Sequence, residues 1–194
     1  MYKIFKLIFA KCVLLVDNIR KNVRVKENNM RIIGIDPGTA ITGYSVIEKH
    51  GNRLEVITYG CIYTDSKWDL SKRLHKIFID ISELIKEYQP DHMAVEELFF
   101  NTNAKTALSV GHARGVVLLA GELNQLLVSG YTPLQVKQAI SGYGRAEKSQ
   151  IQKMVKTILC LEAIPKPDDA ADALAVAICH SQSHTVNNKT RGTL

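Results

Sequence analysis

Arg31-Ile-Ile-Gly-Ile-Asp-Pro-Gly-Thr39 is the stretch from which the fold can be worked out. A short apolar run climbs to one carboxylate and meets Pro37-Gly38. Proline has no N–H for a sheet ladder and glycine permits a tight turn, so Asp36 is expected at the carboxyl end of a strand. Beyond the turn the residues alternate again, Ile41, Gly43, Ser45 and Ile47 against Thr42, Tyr44 and Val46, the pattern of a hairpin partner. A carboxylate at the lip of a sheet beside a glycine turn suits a metal ion or a phosphate. It also suits a plain turn cap, and the rest of the chain has to decide.

Working outward, Leu54–Thr64 reads as a third strand after a turn at His50-Gly51-Asn52, completing an antiparallel meander. From Asp69 to Tyr88 the apolar residues Leu70, Leu74, Ile77, Ile81, Leu84 and Ile85 recur at helical spacing, and Pro90 ends the pattern. The run His92-Met-Ala-Val then delivers Glu96 and Glu97. A strand after a helix implies a crossover to a parallel neighbour of the first strand, which would bring Glu96 to the same sheet edge as Asp36.

Ala104 to Val128 is expected as a second long helix, residues 131–136 as a fifth strand, and Lys137–Ile140 as a short helix. Ala146–Leu161 and then Asp168 to about His184 complete the set, with residues 185–194 as a polar tail. The expected architecture is α/β: one domain over residues 30–184, a mixed five-stranded sheet flanked by helices.

The net charge of +6 is misleading about partners, because seven basic and two acidic residues fall within the first 29 positions. Nucleic-acid binding must therefore be argued from where charges lie. The four cysteines, Cys12, Cys61, Cys160 and Cys179, have no paired spacing, which argues against a zinc site or disulfide framework and fits a reducing, cytoplasmic setting. Ile4 to Val16 is apolar but interrupted by Lys6 and Lys11 and too short to span a bilayer. Residues 1–29 read as an extension outside the fold, with Met30, directly before the first strand, as the expected start of the working protein. A basic amphipathic helix lying on a membrane or partner is the other reading of that segment.

Asp169 and Asp172 are three apart on a helix whose neighbours are Ala and Leu. Buried acids need partners, and Ala170–Cys179 contains no Lys or Arg. Preference for acids at a helix start explains Asp168 well, Asp169 less well and Asp172 poorly. If Asp36, Glu96, Asp169 and Asp172 converge, cations must lie between them. An all-oxygen set of this kind suits Mg²⁺, or Mn²⁺ as a substitute, rather than zinc. Two such ions about 4 Å apart can activate water against a phosphodiester without a Ser or Cys nucleophile.

Ile-Asp-Pro-Gly-Thr, Ala-Val-Glu-Glu-Leu-Phe-Phe and Asp-Ala-Ala-Asp-Ala-Leu-Ala resemble the three acidic motifs of the RuvC family of Holliday junction resolvases. Gln135-Val-Lys-Gln and Ala146-Glu-Lys-Ser-Gln also match family stretches, and the likeness runs from about Met30 to His184. The resemblance implies a ribonuclease-H-like fold and a Mg²⁺-dependent homodimer. Its implied activity is nicking four-way DNA junctions symmetrically in recombination and repair, leaving 5′-phosphate and 3′-hydroxyl ends. It implies RuvA and RuvB branch-migration proteins as partners. It assigns Asp36, Glu96, Asp169 and Asp172 as catalytic, metal-binding carboxylates, with Glu97 outside the quartet.

Phe99 and Phe100 follow Glu96 in an expected loop, where an aromatic can stack on unpaired bases. Lys137 and Lys148 match basic family positions that hold backbone phosphates, while Lys105, Arg114 and Arg145 are weaker candidates. The histidines, His180 included, show no metal-type spacing.

Three rivals remain. Actin-like ATPases and sugar kinases share the strand–Asp–Gly-Thr opening, but they use two such domains. A related nuclease acting on RNA or simple duplex DNA is nearer. A junction-binding protein without catalysis is disfavoured by the intact quartet.

Overall fold

The computed structural model describes residues 29–98 and 104–191. Its centre is a five-stranded sheet in the order β3-β2-β1-β4-β5. Strands β1 (Asn29–Asp36), β2 (Ile41–His50) and β3 (Arg53–Tyr63) form the antiparallel meander. After helix α1 (Leu70–Tyr88), β4 (His92–Glu96) returns parallel to β1 with Ile35 opposite Val95. Helix α2 (Ala104–Leu123) leads to β5 (Leu127–Tyr131), parallel to β4. Helices α3 (Pro133–Ser141), α4 (Lys148–Ile158) and α5 (Asp168–Arg191) complete the domain. This is the mixed five-stranded sheet expected, with a helical layer on each face.

The period-two alternation of β1 sorts its residues between two cores. Ile33 and Ile35 join Ile77, Ile81, Val117 and Ala120 under α1 and α2. Ile32 joins Leu174, Ile178, Val136 and Val155 under α3, α4 and α5. Gly34 and Asp36 share the face of Ile32, so strand geometry alone aims Asp36 at the layer containing α5. Helix α5 is buried on nearly every side from Ala170 to Ser181, because the sheet covers one flank and α3 and α4 the other.

The expectation fails around residues 124–136. Helix α2 stops at Leu123, the next strand is Leu127–Tyr131 rather than 131–136, and α3 begins at Pro133 rather than Lys137. Leu126-Leu127-Val128 prolongs the apolar pattern of α2, but Gln125 takes a left-handed conformation (φ 59°) that ends the helix. Thr132-Pro133-Leu134-Gln135 is a capping box with proline in the first turn, a helix-start signature rather than a strand. Helix α4 is shorter at both ends than Ala146–Leu161. Helix α5 runs past the expected end at His184 to Arg191, since Gln182–Arg191 contains no Gly or Pro to stop it.

His180 is buried, with Nε2 2.8 Å from His92 Nδ1 and Nδ1 2.8 Å from the Tyr131 hydroxyl. This polar chain fastens α5 to β4 and β5. Among the described residues Cys61, Cys160 and Cys179 are free thiols.

Candidate active site

Asp36 ends β1 where Pro37 breaks the ladder, and Thr42 pins the turn by donating its hydroxyl to the Gly38 carbonyl at 2.6 Å. Glu96 ends β4 beside it, as the parallel register requires. The side chain of Glu97 lies instead over Gly130 of β5, and its N–H donates to the Tyr131 carbonyl at 2.8 Å. Arg114, a weak candidate by sequence, donates its Nε–H to the Glu96 carbonyl at 3.3 Å and so helps fix the end of β4.

Small residues on β1 and β2 let the start of α5 come down onto the sheet. A Cβ on Gly43, the residue paired with Asp36, would stand 2.0 Å from the Asp169 carbonyl oxygen. One on Gly34 would stand 2.4 Å from that of Ala173. Ser45 adds a buried hydrogen bond to the same Ala173 carbonyl at 2.9 Å. Asp169 and Asp172 are thereby held close enough to Asp36 for their charges to act on it.

The electrostatics register this crowding. Burial, reinforced by the charges of Glu96, Asp172 and Asp169, pushes the Asp36 carboxyl up to about 8. Burial raises Glu96 as well, although a hydrogen bond from Asp36 and the charges of Lys148 and Lys137 act against it. Asp172 is raised by burial too, opposed by a hydrogen bond from Lys148. Lys148 is held above the ordinary lysine value because Asp172 outweighs the effect of its partial burial. Asp168 is lowered, first by its hydrogen bond with Lys166.

Lys137 and Lys148 border a cleft of about 210 Å³ together with Glu96, Asp172, Val136 and Ile151. On the other side of the carboxylates lies a groove of about 480 Å³ bordered by Thr39, Ala40, Ser109 and Asp169. A larger cavity of about 680 Å³, lined by Lys49, Leu54, Val56 and Leu159, contains none of the quartet. Arg145 is exposed on the loop before α4. Phe99 and Phe100 lie outside the described residues, as does the side chain of Lys105.

Three or more acidic, His or Cys side chains do not stand at coordinating distances among the described residues, and the Lys148 ammonium sits 2.9 Å from Asp172. The donor chemistry nevertheless fits a hard divalent cation. The charges of Glu96, Asp172 and Asp169 add to burial in driving Asp36 toward protonation, while Lys148 is bonded to Asp172. Oxygen-only donors of this kind match Mg²⁺ or Mn²⁺.

A family model described as "Crossover junction endodeoxyribonuclease RuvC" matches residues 32–180. A protein of that name from Desulforamulus reducens is 65% identical over 153 residues, 79% of this chain and 94% of the relative. Another from Halothermothrix orenii is 59% identical over 160 residues, 82% of this chain and 97% of the relative. Among solved structures, Thermus thermophilus RuvC in complex with a Holliday junction substrate is 34% identical with a TM-score of 0.78, covering 81% of this chain and 96% of that one.

Proposed function

Because the chain belongs to the RuvC family of crossover junction endodeoxyribonucleases, we propose that it resolves four-way DNA junctions by paired, symmetric phosphodiester hydrolysis. The observation that carries this reading is the meeting of Asp36, Glu96 and the first turn of α5 at one end of the sheet, where burial and the neighbouring acids push Asp36 up to about 8. Asp36, Glu96, Asp169 and Asp172 would hold two Mg²⁺ ions, with Mn²⁺ as a substitute. Bound there, such ions supply Lewis-acid stabilisation of the attacking and leaving oxygens of a phosphodiester.

The remaining residues position the DNA. Lys137 and Lys148, on the wall of the cleft beside Glu96 and Asp172, would hold backbone phosphates. Phe99 and Phe100, three and four residues after Glu96 in sequence, are the proposed side chains that stack on bases unpaired at the crossover. Residues 30–184 are the proposed catalytic unit, in keeping with the family match over residues 32–180.

A symmetric junction needs two sites, and the reading includes a homodimer. Leu108, Leu119 and Leu123 project from one side of α2 at 64%, 52% and 62% exposure, beside exposed Leu127 on the edge strand β5. Large apolar side chains gathered this way favour a partner surface. RuvA and RuvB homologues are the proposed branch-migration partners. No helix among the described residues is long and apolar enough to cross a membrane, and a cytoplasmic setting is proposed with the function.

The test is a labelled synthetic four-way junction incubated with Mg²⁺ or with EDTA. Paired nicks at symmetric positions that vanish with EDTA are expected. Equal cleavage of linear duplex or RNA would favour a broader nuclease.

A further inference from the structure

Lys148 occupies the first position of α4, and its ammonium lies between two acids of α5, 2.9 Å from Asp172 Oδ2 and 3.7 Å from Asp168 Oδ2. The two acids are one helical turn apart, yet only Asp172 belongs to the quartet. The other oxygen of Asp168, Oδ1, accepts from Lys166 at 3.1 Å, which turns Oδ2 toward Lys148. Gln152, buried one turn along α4 from Lys148, has a side-chain amide nitrogen without a bonded acceptor, and Asp168 is the carboxylate it faces. Lys166 and Lys148 thus approach Asp168 from two sides although it lies outside the quartet.

We propose that Asp168 is a positioning residue that offers the Lys148 ammonium a second seat beside Asp172, so that the lysine can release the metal-binding carboxylate when a cation engages it. The inference rests on the nuclease reading above. An ammonium at hydrogen-bond distance from Asp172 competes with a divalent cation for that oxygen. A second carboxylate 3.7 Å away divides its attraction and gives the lysine somewhere to stand once Asp172 is engaged elsewhere. From there its stem keeps the ammonium at the cleft it shares with Lys137, Glu96 and Asp172. Both side chains are about half exposed, 55% for Lys148 and 46% for Asp168. The effect is accordingly that of a solvated ion pair, about twofold to fivefold.

The experiment is a double-mutant cycle on the full chain with Asp168→Asn, Lys148→Ala and their combination, read in two ways. One readout is Mn²⁺ affinity of the DNA-free protein by calorimetry, and the other is single-turnover junction cleavage. Asp168→Asn is expected to weaken Mn²⁺ binding and to slow cleavage about twofold to fivefold. Both effects disappear when Lys148 is already alanine, and Asp168→Glu restores wild-type behaviour. An equal loss in both backgrounds would mark Asp168 as a bulk negative charge and overturn the proposal, as would wild-type behaviour of Asp168→Asn. A wild-type protein that fails to cleave junctions removes the nuclease reading while the Mn²⁺ cycle still decides the role of Asp168. Failure of the wild type to bind Mn²⁺ sinks both.

Discussion

Asp36 is placed where a lone carboxylate would be a liability, at a buried strand end among three other acids. Its folded-state pKa of about 8 against an ordinary 3.8 means that the metal-free native protein holds a proton the unfolded chain has released. The associated stability is complete below about pH 4 and is lost as the pH rises through 8. In EDTA the melting temperature should therefore fall between pH 5.5 and 8.5. Asp36→Asn should flatten that slope and melt higher than wild type at pH 8.5, and an unchanged slope in a thermal melt series would refute the assignment. Mg²⁺ at pH 8.5 should recover the loss in the wild type only. For Asp172→Asn, junction nicking should drop at least 1,000-fold, on the scale of a lost metal ligand, while junction binding in a gel-shift assay stays within a factor of a few. An active variant would remove Asp172 from the quartet.

At the scale of elements, the start of α5 is set by what the sheet lacks. Gly43 leaves room for the Asp169 carbonyl where any side chain would collide with backbone, a clash that no rotamer change relieves. Gly43→Ala should lift α5, cost about 1–3 kcal/mol in chemical denaturation, and reduce cleavage more than a Leu→Ala change of similar stability cost elsewhere in the core. Much of this level could be read in advance. Asp36 before Pro37-Gly38, the crossover to Glu96, and the acids of an alanine-rich helix with no basic residue from Ala170 to Cys179 all follow from local rules. The missed strand has a physical cause: the apolar residues at 126–128 suit a helix or a buried strand equally, and Gln125 settles the matter by a conformation that composition does not announce. The Thr132 capping box is written in the sequence, within the stretch 131–136 whose letters also suit a strand. The role of Arg114 was not legible, because its acceptor is a main-chain carbonyl eighteen residues away.

For the whole molecule, the proposed homodimer would cover the apolar side of α2. Replacing Leu119 and Leu123 together by aspartate should yield a monomer in light scattering with little change in far-ultraviolet circular dichroism. Such a variant should cut one strand of a junction without coupling it to the second cut, whereas a persisting dimer would place the interface elsewhere. The last helix has a different consequence. It carries two of the four carboxylates, and it is also the member around which one whole core is packed. A binding loop can loosen while its scaffold stays intact, but here the amides around Asp172 should exchange with deuterium only as fast as the protein unfolds. Catalytic competence and the native state would then be lost in a single cooperative step, leaving no temperature range in which the protein is folded with its chemistry disabled.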